Sequence, residues 1–291
     1  MDLSKSLLIG LKADDFRHPL DLQATTALKQ LPGLDIVVRN LLGSVAEQVF
    51  SLNNITSSVR VSDRQLPNLY NLLIEACRIL DLEPPQLYIR QHPVPNAYTF
   101  AMQGKQPCMV IHTSLIEILT LEEIQGVMAH ELGHLKCEHG VYLTLANIMV
   151  LAARLLPNWG VAIAQFLQSQ ILEWLRCAEF SCDRAALLAT QNPKVVMSVL
   201  MKLAGGSPTI APQLNLDAFI EQARDYKGIN NTFLGEMLKT AQTEQLTHPV
   251  PVLRAKELDS WASSYEYQQL LETGKTQYNR RHGARGGWRN W

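Results

Sequence analysis

The stretch Gly126 to Gly140, GVMAHELGHLKCEHG, constrains this chain more than any other part of it. Three histidines and two glutamates, His130, Glu131, His134, Glu138 and His139, interrupt an otherwise apolar run. Just ahead, Thr120 to Glu123 reads TLEE, a capping box in which the Thr hydroxyl takes a free backbone amide and the Glu reaches back. A helix therefore begins before the histidines, with Ile124, Val127, Met128 and Leu135 as its apolar face. On that helix His130 and His134 stand about 40° apart and can share one ion. Glu131, offset by about 100°, reaches a water beside the ion rather than the ion itself. At this chain's 8 histidines and 27 acids, chance gives His-acid-x-x-His roughly twice in a hundred such chains, so a surface-helix reading is disfavoured.

Zinc at such a pair lowers the pKa of a water towards about 7, and the neighbouring Glu takes the proton as the water attacks a carbonyl. Two histidines do not complete a catalytic zinc site, which needs a third protein ligand. His139 is nearest in sequence, but on a continuing helix it would lie about 140° round from His134 and face away. Glu179 and Asp183, in CAEFSCDRAA, stand four apart on a second helix. The first suits the metal and the second suits the outer N–H of a ligating histidine. The residues alone leave another reading open, in which both acids are solvated and pair with Arg176 or Arg184. They also leave open a deformylase-like site with Cys108 or Cys137 as third ligand.

The rest of the composition narrows the class. A length of 291 residues buries a sizeable core, and a net charge of −1 offers no field for nucleic acid. Five scattered cysteines, Cys77, Cys108, Cys137, Cys177 and Cys182, fit free thiols in a reducing compartment, which points to the cytoplasm. The opening MDLSKSLLIGLKADD has too short an apolar core for a signal peptide.

Along the chain, residues 1–60 read as an irregular N-terminal extension: an arm, a lid or a propeptide. Residues 61–272 read as the metallopeptidase-type domain and 273–291 as a basic, disordered tail. Within the domain, Leu69, Leu72, Leu73, Cys77 and Leu80 make one helical face stopped by EPP. Two β-rich stretches follow: QLYIR, and AYTFAMQGKQPCMVIH as a hairpin turned at Gly104 to Pro107. Everything after Thr120 is helical, with two or three helices expected between Val141 and Ala189 and a bend at Pro157 to Gly160. The expected fold class is mainly α with a small β-sheet (α+β).

Four motifs between Asn96 and Arg254 resemble those of the gluzincin metallopeptidases that include the HtpX-type and CAAX prenyl proteases. HELGH is similar to their metal motif, and EFSCD to their Glu-x-x-x-Asp. The resemblance implies metal ligands at His130, His134 and Glu179, an orienting carboxylate at Asp183, and one zinc ion (Zn2+) per chain. PNAYTFAMQG is similar to the family's Asn-Ala-aromatic strand, and THPVPVLR to its late Thr-His-Pro segment. These imply that Asn96, His248 and Arg254 assist Glu131 in catalysis, since a tetrahedral intermediate needs hydrogen-bond donors besides the metal. The strand carrying Ala97, Tyr98, Thr99 and Phe100 offers a substrate peptide an edge on which to add as a further strand.

The implied activity is that of a zinc metalloendopeptidase acting on peptides or unfolded proteins. A catalytically silent or latent peptide-binding, chaperone-like module is the rival reading. The chain departs from the membrane-bound relatives: nothing before Thr120 is apolar and long enough to span, and Val141 to Leu156 is interrupted by Asn147 and Arg154. Any membrane contact is expected to be peripheral, through residues 141–172 or the basic tail.

Overall fold

The computed structural model describes residues 5–29, 56–100, 107–140, 160–225 and 250–281. Helices dominate, beside one four-stranded sheet, so the α+β expectation holds. The helices are α1 (Pro19–Lys29), α2 (Pro67–Ile79), α3 (Thr113–Ile118), α4 (Leu121–Lys136), α5 (Gly160–Thr190), α6 (Pro193–Gly205), α7 (Leu216–Asp225), α8 (Pro251–Ala262) and α9 (Tyr265–Arg281). The strands are β1 (Val59–Arg60), β2 (Gln86–Arg90), β3 (Ala97–Phe100) and β4 (Cys108–His112), in sheet order β1-β2-β4-β3.

The β3 and β4 strands pair antiparallel, Ala97 opposite Ile111 and Phe100 opposite Cys108, as a hairpin requires. Of the expected turn at Gly104 to Pro107, residues 104–106 lie outside the described residues. β2 runs parallel to β4, so the sheet is mixed and β3 is an edge strand among the described residues.

One core unites the layers. From α2 it takes Leu73 and Ile79, from β4 Met109 and Ile111, from α4 Met128 and Leu132, from α5 Leu187 and Leu188, and from α6 Leu200. The α4 N-terminus forms the expected capping box: Thr120 Oγ accepts from the Glu123 amide and Glu123 Oε2 from the Thr120 amide. Glu123 is buried as well, accepting from Ser198 at 2.6 Å and from Lys202 at 2.6 Å, which ties α4 to α6.

Where α4 crosses α5 the backbones almost touch. A Cβ on Gly133 would lie 2.9 Å from both Ala185 Cβ and Cys182 Cα, so only glycine fits between the two histidines at this approach.

The N-terminal segment departs from the irregular preface read in the sequence. Residues 5–29 pack into the main core through Leu8, Leu11 and Phe16, and α1 lies along α5. Helix α1 escapes the apolar-period test because its buried face is polar: Asp21 and Thr25 are inside while Leu20 and Leu22 are exposed. Residues 160–190 form one continuous 31-residue helix, and the rest of the stretch expected to hold two or three helices, residues 141–159, lies outside the described residues. Among the described residues no helix is long and apolar enough to cross a membrane. Residues 141–159 and 282–291, which carry much of the expected membrane contact, lie outside the described residues.

Candidate active site

Helix α4 presents His130, Glu131 and His134, and α5 faces them with Glu179 and Asp183 one turn apart. Glu179 Oε2 lies 3.3 Å from His130 Nε2, and Glu179 Oε1 lies 3.3 Å from His134 Nε2. The opposite ring nitrogens are engaged elsewhere. His130 Nδ1 lies 3.1 Å from Asp183 Oδ1, and His134 Nδ1 lies 3.1 Å from His139 Nδ1. Both Nε2 atoms and one carboxylate thus converge, while the outer nitrogens are fixed by hydrogen bonds, as ligating histidines require.

The electrostatics favour a cation at this point. Burial works against ionising Glu179, but the Arg254 and His130 charges hold it well below the usual carboxylate range. Asp183 is likewise lowered: burial opposes this, and Arg254 and His130 prevail. Burial also disfavours a charged His130, yet Glu179 and Asp183 raise it to about 10. A buried pair of ionised acids that pulls a proton onto its imidazole suits a divalent ion in donor type and in charge.

Arg254, expected from the resemblance to assist catalysis, is turned to these acids. Its Nε donates to Asp183 Oδ2 at 2.8 Å, its Nη2 to Asp183 Oδ1 at 2.6 Å, and its Nη1 stands 3.1 Å from Glu179 Oε2. A planar guanidinium with that fork matches a carboxylate bidentately and clamps the acids behind the histidines.

Glu131 is buried on α4 and accepts a hydrogen bond from Thr99 Oγ1 at 3.2 Å. Alternation along β3 divides the expected substrate-binding residues. Ala97 packs on the core side and Thr99 meets Glu131, whereas Tyr98 and Phe100 pack on the other sheet face against Tyr88, Cys108 and Val110. Those two side chains, partly buried, therefore stand on the face away from Glu131. Asn96, exposed at the start of β3, lines a cleft of about 350 Å³ together with His130, Glu131 and Arg254. Much of the remaining lining is apolar, including Val127, Val196, Val199, Leu200 and Leu203. His248 lies outside the described residues.

Three features were not read from the sequence. His139 does not face away: α4 ends at Lys136, Glu138 adopts a left-handed backbone (φ 59°), and the chain swings His139 back onto His134. A left-handed Glu with no glycine beside it carries no sequence signal. Asp21, on the overlooked α1, accepts from that same His139 at 3.1 Å. Cys182 is the third, its sulfur close enough to His130 and His134 to be a donor. Burial pushes the Cys182 thiol well above its ordinary range and keeps its proton on, whereas Glu179 is ionised and faces both Nε2 atoms. Glu179 is therefore the better third donor. Cys108 packs on the far sheet face with Tyr88, and Cys137 caps α4.

The chain matches the family model described as Peptidase family M48 over residues 63–262. It is 59% identical over 266 residues to "Plastoglobule-localized metallopeptidase 48, chloroplastic" of Arabidopsis thaliana, covering 91% of this chain and 77% of that protein. It is 26% identical over 225 residues to "Protease HtpX homolog 2" of Methanosarcina acetivorans, covering 68% of this chain and 74% of that protein. A second protein of that name, from Methanosarcina mazei, is 29% identical over 52% of this chain and 59% of its own length. No solved structure matches the chain.

Proposed function

The chain belongs to peptidase family M48 and is a metallopeptidase of that family, and from this premise we propose that it is a zinc-dependent endopeptidase with His130, His134 and Glu179 as its metal ligands. The observation that carries the reading is the convergence of two Nε2 atoms and one ionised carboxylate on α4 and α5, with Glu131 beside them in the same cleft. When bound, zinc supplies Lewis acidity to the peptide carbonyl and makes a water acidic enough to attack near neutral pH. With zinc bound, Glu131 would be placed to accept a proton from the attacking water and to return it to the departing amine. Thr99, donating to Glu131, fixes which carboxylate oxygen faces the cleft.

Asn96 lines the cleft and offers a side-chain amide to the developing oxyanion; His248 is assigned the same task on its motif alone. Asp183 holds the His130 ring, and Arg254 acts through Asp183 and Glu179 as a positioning residue. The substrate is an extended peptide or unfolded protein that adds to the β3 edge, with an apolar side chain against Val127 and Leu200. The Arabidopsis relative's name places that protein at plastoglobules, and we read this chain likewise as peripheral to a lipid surface. Failure to float with lipid vesicles would remove that last point.

The decisive experiment measures zinc per chain and cleavage of an unfolded protein for the wild type, Glu179→Ala and Glu131→Gln. The expected result is about one zinc in the wild type, loss of metal and cleavage together in Glu179→Ala, and retained zinc in Glu131→Gln. Cleavage in Glu131→Gln should fall by about 10²- to 10⁴-fold. Unchanged cleavage in Glu131→Gln would refute its role as base. Zinc retained with no cleavage by the wild type would favour the silent peptide-binding module.

A further inference from the structure

We propose that Asp21 and His139 form a relay that orients His134, so that α1, outside the segment matched by the family model, supports the metal centre. This rests on the reading of His134 as a metal ligand. To present the Nε2 lone pair to an ion, His134 must carry its proton on Nδ1, which lies 3.1 Å from His139 Nδ1. That nitrogen must then be bare to accept the hydrogen bond, so His139 carries its own proton on Nε2 and donates it to Asp21 Oδ2 at 3.1 Å. One carboxylate thereby sets the tautomer of two rings in series.

Asp21 is built for this task. It is fully buried and accepts from Ser181 Oγ at 2.6 Å, from Thr25 Oγ1 at 2.9 Å and from Arg17 at 3.4 Å. Thr25 is in turn fixed by Trp174 Nε1 at 2.9 Å. Burial opposes ionisation of Asp21, but the hydrogen bonds from His139 and Ser181 bring it down to about 2, so it accepts at any working pH. Without that acceptor, His139 is free to place its proton on Nδ1, against the Nδ1–H of His134. The clash is relieved only if the His134 ring rotates or its proton moves to Nε2, and either removes the ligand. Asp21, Cys137 and His139 do not make a separate cation site, because both His139 nitrogens are engaged and burial pushes the Cys137 thiol up to about 12.

The test is zinc dissociation measured by competition with a chelator, on folded metal-free proteins checked by circular dichroism. Asp21→Ala, which removes the acceptor, and His139→Phe should bind zinc about 10- to 100-fold more weakly than the wild type. His139→Asn, whose amide oxygen can accept from His134, should recover most of the affinity despite its smaller side chain. Phe16→Leu, which loosens the same arm away from the relay, should lower the melting temperature yet leave zinc affinity within about twofold. Wild-type affinity in Asp21→Ala and His139→Phe would overturn the relay. So would a loss in Phe16→Leu as large as theirs, since the arm would then act by packing alone. His134→Ala separates the two levels: if it releases zinc while Asp21→Ala does not, only the relay fails. If it retains zinc, the ligand assignment fails and takes the relay with it.

Discussion

The two histidines of α4 are supported in contrasting ways. His130 meets a carboxylate directly, and that carboxylate is gripped by the Arg254 fork. His134 meets a second imidazole, whose carboxylate is held by the hydroxyls of Ser181 at 2.6 Å and Thr25 at 2.9 Å and, through one longer contact of 3.4 Å, by Arg17. The first arrangement buries an ion pair, which stabilises little as a unit but is costly to break. The second pairs its acid with a cation through one long contact and otherwise with hydroxyls, so its removal should affect the histidine's orientation more than the fold. Both ends of the comparison are open to direct test.

The largest expected effect is on the His130 side. Asp183→Ala removes the bidentate partner of a buried guanidinium and leaves Arg254 with Glu179 as its remaining acid partner at the centre. A loss of about 3 kcal/mol or more in urea unfolding is expected. Asp21→Ala should cost about 1–2 kcal/mol, the desolvation left to hydroxyls, an imidazole and Arg17, which keeps its contacts to Thr25 and the Cys137 carbonyl. If Asp21→Ala destabilises as much as Asp183→Ala, the contrast between a bidentate ion pair and support mainly by hydroxyls is broken.

Gly133→Ala comes next, since it acts on both histidines at once. Its new methyl would meet Ala185 Cβ and Cys182 Cα at 2.9 Å, and a backbone atom cannot swing aside as a flexible side chain can. Separation of α4 from α5 should cost about 1–3 kcal/mol. Because α4 carries the histidines and α5 carries Glu179, zinc affinity should fall in step with stability. Wild-type affinity in a destabilised Gly133→Ala protein would show that the centre tolerates a shift between these helices.

The same contrast marks what was legible in the sequence. The α4 cap, the His130 to His134 spacing, the acids at Glu179 and Asp183, and the β3–β4 hairpin depend on short spacings within one element, where period and sequence coincide. The arm did not show, because α1 turns Asp21 and Thr25 inward and leaves Leu20 and Leu22 outside, the reverse of the pattern that reveals a helix. His139 was misdirected by extending α4 through Cys137 and Glu138, where a left-handed residue ends it. Arg254 was visible as a motif residue, but its partners lie 71 positions away, at Asp183, and in the same group at Glu179, so its orientation needed the assembled helices.

Glu123→Gln gives the smallest effect and separates stability from the metal centre. Like Asp183, Glu123 has a cationic partner, Lys202, but it lies at the far end of α4 from His134. Burial opposes ionisation of Glu123, and the hydrogen bonds from Lys202, Ser198 and the Thr120 amide outweigh it, so its pKa sits below its ordinary value of 4.5. A carboxyl depressed in the folded state contributes stability that is fully present above its unfolded pKa and is lost as pH falls through the folded one. At pH 7 the Gln variant should be about 1 kcal/mol less stable, having lost charge-assisted bonds to Ser198 and Lys202. Below pH 4.5 the gap should narrow, as the wild type takes up the proton that the variant never binds. Zinc affinity should stay within about twofold of wild type at neutral pH, because neither His130 nor His134 contacts this cluster. A constant gap across pH would show that shape rather than charge matters at Glu123. A large loss of zinc would show that the two ends of α4 are coupled, and that a carboxylate's cationic partner supports the centre even from a distance.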